Sequence, residues 1–314
     1  AILLGLRFVQ GLGAAATRVI ATSIVRDQFS GREMAEVMSL TFMVFMAIPI
    51  IAPGVGQIIL LTGPWHYIFL FMAGLSALIL IWAWFRLPET LHPEYRRPLR
   101  LGVIAEGFRL VFTNRVAFFY GLAGTFLFAA MFGFIISTQQ IFVGIYGLGP
   151  WFPLAFASMA GFMAVASFVN SRIVRRYGMR RLSHTAMLVY VTCASILLIL
   201  SVSGPVPFWL FFALLLVIQV AFGTAASNMN SLSMEPLGAV AGTAASVFGF
   251  FQTVGGALLG TYIGQQFNGT LTPNATGYVV MGLLVLCCIL IAEKGRLFGV
   301  GQEYEPTGVV AHAD

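Results

Sequence analysis

Arg7 and Arg18 have the most chemistry to offer, because each sits inside an apolar run where a charge is expensive. They are eleven residues apart, about three helical turns, so one helix would carry both on nearly the same face. A guanidinium in such a place either binds a substrate or responds to a proton, or else it pairs with a neighbouring helix. Arg7 precedes Arg26 by nineteen residues, roughly 28 Å at about 1.5 Å per residue, which places it deep in a bilayer or near its far mouth. Arg18 is roughly 12 Å from Arg26 by the same rise and can snorkel to the near interface. The eleven acidic residues (Asp27, Glu33, Glu36, Glu89, Glu94, Glu106, Glu235, Glu293, Glu303, Glu305 and Asp314) all fall at the ends of apolar runs, in loops or in the tail. A proton-driven carrier usually needs a buried carboxylate that changes protonation, so that group is expected upstream of Ala1.

Gln10, Gln139, Gln140, Gln219, Asn228, Asn230 and Gln252 are the neutral polar residues within apolar runs. They can line a pocket or make hydrogen bonds between helices. Phe126, Phe128, Phe132, Phe248, Phe250 and Phe251 can line an apolar cavity, or face lipid and neighbouring helices. His66, His92, His184 and His312 lie outside the apolar runs, and Cys193, Cys287 and Cys288 read as buried thiols. No spacing among them suits a metal, and no nucleophile, acid and base gather at one depth, so neither an enzyme nor a bound cofactor is expected. Gly11-Leu12-Gly13-Ala14-Ala15-Ala16 lies within a helical run with no strand before it, so it is read as a close helix contact and not a dinucleotide loop.

These residues are positioned by membrane-spanning helices. Of 314 residues, 59% are apolar and 9% charged, where a soluble domain averages about 25% charged; the mean hydropathy is +0.92. Runs near the ~20 residues needed to cross a bilayer recur at 1–25, 37–61, 66–86, 116–143, 152–172, 185–203, 207–230, 238–264 and 276–292. Only helices satisfy their own backbone in lipid over such lengths.

The basic residues orient these spans. Arg26 and Arg32 follow the first, and Arg86, Arg96, Arg97, Arg100, Arg109 and Arg115 separate the third from the fourth. Arg172, Arg175, Arg176, Arg180 and Arg181 separate the fifth from the sixth, and Lys294 and Arg296 follow the ninth. Fifteen of the 17 cations therefore lie on one side, and the alternate loops hold none. That asymmetry makes the basic side, and the C-terminus with it, cytoplasmic. It also accounts for the pI near 9.5 without nucleic-acid binding.

The reading divides the chain into 1–86, an interhelical loop 87–115, a six-span half 116–292 and a tail 293–314. Within the loop, Gly102–Phe112 is expected to form a short amphipathic helix with Val103, Phe108, Leu110 and Val111 turned to lipid. If the six later spans are one half of a repeated transporter, the first three are the end of a matching half whose other three spans lie upstream. Asn268-Gly269-Thr270 and Asn274-Ala275-Thr276 have the form of glycosylation sequons on the non-cytoplasmic side.

Several motifs then carry a resemblance. Arg7-Phe8-Val9-Gln10-Gly11-Leu12-Gly13-Ala14-Ala15 resembles the fourth-helix pattern of the major facilitator superfamily. Ile51-Ala52-Pro53-Gly54-Val55-Gly56-Gln57 is similar to its fifth-helix antiporter motif, with Ala52 and Gln57 in place of glycines. Leu87-Pro88-Glu89-Thr90 matches the usual close of the sixth helix. Arg176-Tyr177-Gly178-Met179-Arg180-Arg181 resembles the second copy of the inner-loop motif, with Arg175 where that motif has Asp. Val25-Arg26-Asp27, Gly63-Pro64-Trp65-His66-Tyr67 and Met234-Glu235-Pro236-Leu237-Gly238 resemble the bicyclomycin-resistance (Bcr/CflA) branch.

The resemblance implies an all-α bundle of which nine of twelve helices are present. It implies proton-coupled export of small lipophilic molecules across a bacterial inner membrane, by alternating access and without a cofactor. Arg7 is the implied proton- and substrate-responsive residue, with Gln10, Arg18, Gln139, Gln219, Asn228 and Gln252 as further candidates. Gly11, Gly13, Pro53, Gly54 and Gly56 carry over as conformational residues, and Arg176, Gly178, Arg180 and Arg181 as the inner-loop motif. The expected partners are a small-molecule substrate and lipid, with no nucleic acid and a monomeric state. An exporter of a sugar or amino acid on the same scaffold and a membrane-embedded enzyme are the competing readings.

Overall fold

The computed structural model describes residues 2–28, 48, 52, 54–87 and 101–298. Every regular element among them is helical. In order they are α1 (Ile2–Gln28), α2 (54–62), α3 (His66–Arg86), α4 (Leu101–Thr113), α5 (Arg115–Gln139), α6 (Phe152–Tyr177), α7 (Met179–Ser203), α8 (Phe208–Met234), α9 (Ala241–Phe250), α10 (Gly256–Gln265) and α11 (Thr272–Ala292). α5 runs on through a π-helical turn at Gln140–Ile145, and a second such turn at Phe251–Gly255 joins α9 to α10.

Seven stretches among the described residues are long and apolar enough to span a membrane: His66–Arg86, Arg115–Ile145, Gly149–Val174, Met179–Ser203, Phe208–Leu237, Thr243–Gln265 and Thr272–Ala292. They coincide with the last seven runs read from the sequence. α1 covers the first run, and most of the second, with Pro53, lies outside the described residues.

The chain falls into two compact units, one holding Ala1–Leu99 and Pro153–Ala164, the other Arg100–Phe152 and Val165–Asp314. In the first, α3 buries no residue and is apolar on every face, as a lipid-solvated helix should be. Trp65 stacks on His66 at its start and Arg86 ends it, the pairing of interfacial aromatic and basic flank that anchors a span.

In the second unit α5 is central, packed against α8, α10 and α11, while α7 packs against α8 and α11. The Asn114 side chain starts α5 by accepting the Ala117 N–H at 2.9 Å. Gly178 lies between α6 and α7 with φ +79°, a left-handed turn that explains a glycine in that loop. On α10, Gly256, Gly260 and Gly264 are buried. A Cβ added at Gly260 would lie 2.8 Å from both the Ala129 carbonyl oxygen and the Gly133 nitrogen, so the α5 and α10 backbones are in direct contact. In lipid such packing, and not water exclusion, holds helices together.

The structure corrects four expectations. Val111 does not face lipid: it is fully buried with Ala117, Leu237, Ala244, Val247 and Phe248, so α4 is docked on α9, with Phe108 and Leu110 left exposed. Of the cysteines only Cys288 is buried, because Cys287, its neighbour, points off the helix face that meets the bundle. Asn274 is buried and donates to Ser137 Oγ at 2.7 Å, which closes that sequon to modification. His184 is inside α7 and fully buried, not outside the apolar run.

Candidate functional site

Within the first unit, α1 and α3 bring Arg7 over the face of Phe69, with the guanidinium carbon 4.7 Å from the ring centroid. Arg7 Nη1 also donates to Gln10 Oε1 at 2.7 Å, one helical turn on. A guanidinium has five N–H donors and Gln10 takes one, so Arg7 keeps donors to offer a ligand. No carboxylate pairs with it among the described residues. The cation is thus held by an amide and a π face, neither of which neutralises it. Gly11 and Gly13 on the same helix, and Gly54 and Gly56 on α2, meet nothing within 4 Å of an added Cβ. Arg18 lies in α1, with its side chain outside the described atoms.

The polar candidates of the second unit separate by environment. Asn228 of α8 is buried and donates to Asn170 Oδ1 of α6 at 2.9 Å and to the Thr224 carbonyl at 2.8 Å. Asn170 in turn donates to Ser227 Oγ at 3.3 Å, so this group is an interhelical clamp. Gln219 is buried on α8, whereas Gln139 is exposed at the end of α5. Gln252 sits in the second π turn, where its amide lies over bare α5 backbone: a Cβ at Gly124 would come within 2.6 Å of Gln252 Nε2. π turns often sit at functional positions, and this one sets a half-buried amide against the central helix.

A third cluster lies at the basic ends of the helices. Arg180 of α7 donates from Nε to Glu293 Oε1 at 2.8 Å, and its Nη2 is 3.5 Å from Glu235 Oε2. Tyr120 of α5 donates to the same Glu293 oxygen at 2.8 Å and lies 3.0 Å from His184 Nε2. Of the inner-loop motif, only Arg180 is engaged in this way. Arg176 and Arg181 are exposed, with Arg176 over the Tyr177 ring, as basic anchors at a membrane surface would be. Sequence reasoning missed Tyr120, His184 and Glu293 as partners. The available signal was the i, i+4 spacing of Arg180 and His184, which puts them on one helix face.

A cavity of about 240 Å³, lined by Leu110, Thr113, Asn114, Pro236, Leu237 and Val240, opens beside α4. It is smaller than the ~300–1,000 Å³ of usual small-molecule sites.

Among the described residues, long apolar helices, an arginine with no carboxylate partner in one of them and ion pairs at helix ends are the features of a polytopic membrane protein. The family model described as Major Facilitator Superfamily matches residues 1–260, and the chain belongs to that superfamily. It is 32% identical over 291 residues to a protein named bicyclomycin resistance protein homolog from Haemophilus influenzae, covering 91% of this chain and 71% of the relative. It is 27% identical over 290 residues to the multidrug resistance protein MdtL of Citrobacter koseri, covering 91% and 70%. It is also 27% identical over 308 residues to an uncharacterized MFS-type transporter, YdgK, of Bacillus subtilis, covering 96% and 73%.

Proposed function

We propose that this protein is a proton-driven exporter of small lipophilic drugs. It works by alternating access in a bacterial inner membrane, as a multi-pass monomer with its C-terminus in the cytoplasm. It needs no bound cofactor, because the proton gradient supplies the energy. The observation that carries the reading is Arg7, held over Phe69 with unused donors and no paired carboxylate among the described residues. An unneutralised cation at that depth raises the proton affinity of nothing by itself. It lowers the pKa of any carboxylate that approaches, and so couples that group's protonation to the helix arrangement. The names of the Haemophilus influenzae and Citrobacter koseri relatives, bicyclomycin resistance and multidrug resistance, support drugs as the cargo.

The test is drug accumulation in cells that express the protein at matched membrane abundance. Wild type lowers the steady-state level of a lipophilic cation or of bicyclomycin, and a protonophore restores it. Arg7→Ala abolishes the effect. Full export by Arg7→Ala would remove the proposed centre, and export of sugars or amino acids alone would replace the cargo.

A further inference from the structure

At the basic end of the second unit a chain of hydrogen bonds allows each proton to be placed. The Phe298 backbone N–H donates to His184 Nδ1 at 3.1 Å, so that nitrogen carries the lone pair. In a neutral imidazole the hydrogen is then on Nε2, which faces the Tyr120 hydroxyl oxygen at 3.0 Å. Tyr120 passes its own hydrogen to Glu293 Oε1 at 2.8 Å, and Arg180 Nε donates to the same oxygen at 2.8 Å. A backbone N–H at one end and a permanently charged guanidinium at the other cannot exchange donor for acceptor. The direction of every bond between them is therefore fixed, and so is the His184 tautomer.

The segment held by His184 is bent. After α11 the chain reverses through Lys294 (φ 55°), Gly295 (φ 78°) and Phe298 (φ 61°), closed by Gly295 N–H to the Leu290 carbonyl at 2.7 Å and Arg296 N–H to the Glu293 carbonyl at 3.2 Å. Lys294 is the left-handed residue of the α11 C-cap, whose own hydrogen bonds account for it; Phe298, also left-handed and not glycine, needs its surroundings to hold it. Its holding contacts are the His184 acceptor and the edge-on packing of its ring against the imidazole, with centroids 5.8 Å apart.

We infer that His184 is a proton-binding site that latches residues Glu293–Phe298 onto the basic ends of α5 and α7. A solvent proton binds the Nδ1 lone pair, no covalent bond breaks, and the acceptor of Phe298 N–H becomes a second donor facing it. Two opposed donors cannot hold a strained reversal, and the segment lets go. The charged and titratable groups around His184 are Tyr120 from α5, Arg180 from α7, Glu293 at the end of α11, and Glu235 beyond Arg180. Glu293 is already shared by Arg180 and Tyr120, so an imidazolium gains no free carboxylate. Lys294 and Arg296 on the segment, both exposed, add repulsion to the release. The latch is independent of the cargo, because its readout is the segment itself.

The experiment is amide hydrogen exchange of residues 294–298 in the protein in lipid nanodiscs, from about pH 8 to about pH 5, corrected for intrinsic rates. Protection at Phe298 is expected to fall about tenfold or more in a one-proton transition. In His184→Asn, where the amide oxygen replaces Nδ1 and takes up no proton in this range, protection should stay level. Should that variant fail to fold, Tyr120→Phe serves instead, and its transition should remain with a displaced midpoint. PH-independent protection in wild type would overturn the inference. So would an unchanged transition in His184→Asn, or an unmoved midpoint in Tyr120→Phe.

Discussion

Replacing Gly260 by Ala adds one methyl group where α5 and α10 leave no room. Its Cβ would lie 2.8 Å from the Ala129 carbonyl oxygen and from the Gly133 nitrogen. Carbon in van der Waals contact sits at about 3.5 Å or more, so the helices must part by roughly 0.5 Å or more. Both obstacles are backbone, so no rotamer change relieves them. Overpacking of this kind costs about 1–3 kcal/mol, and the loosened neighbours lose dispersion contacts along the whole crossing. At roughly 2–4 °C per kcal/mol for a chain of this order of size, the apparent melting temperature should fall by about 2–12 °C. The matched control is Gly249→Ala, on α9, where an added Cβ meets nothing within 4 Å. There the better helix propensity of Ala should leave stability unchanged or slightly raised. The assay is thermal unfolding in detergent at one scan rate, followed by a thiol-reactive dye on the buried Cys288 in a background where Cys193 and Cys287 are replaced by Ser. Equal melting temperatures for the two variants would refute the direct backbone contact.

Breaking the amide clamp is a second perturbation: Asn228→Ala and Asn170→Ala should each cost about 0.5–2 kcal/mol, and their double variant little more than either. Additive losses in that unfolding cycle would mean the two amides do not interact. Tyr146 donates to the Val206 carbonyl at 3.0 Å, and burial pushes its phenol up to about 12. The folded state therefore holds this proton more tightly than the unfolded chain, where a phenol loses it near ~10. Its contribution is whole below that pH and is lost as the pH rises towards 12. Tyr146→Phe should melt lower than wild type at neutral pH and show a shallower loss in alkali; parallel alkaline curves would contradict this. Glu293→Gln, which removes the negative charge 2.8 Å from Arg180 Nε while keeping an acceptor oxygen, should speed proteolysis at the basic end of α7, and an unchanged cleavage rate would show the ion pair to be idle.

Most of the fold was legible because membrane helices announce themselves by length and hydropathy. The seven spans among the described residues fall where the apolar runs do, and the glycine of the inner-loop motif marks the left-handed turn at Gly178. What failed to show was partner choice. Val111 looked lipid-facing because an amphipathic helix reads the same whether its apolar stripe meets lipid or α9. Asn274 looked like a sequon because three letters carry no burial. The Arg180 cluster looked like topological anchoring because its carboxylate arrives from Glu293, 113 positions away. Arg7 and Gln10 were each legible as candidates but not as partners, although they lie one turn apart, and Phe69 as the π partner of Arg7 needed the packing of α1 and α3.

The export reading is tested most directly in everted membrane vesicles whose lumen has been acidified by respiration. Adding a lipophilic drug should discharge part of the pH gradient in vesicles carrying the wild-type protein, as protons leave in exchange for drug. Vesicles carrying Arg7→Ala at equal abundance should hold the gradient. Drug uptake without proton movement, or undiminished proton release in Arg7→Ala, would contradict proton coupling through that residue.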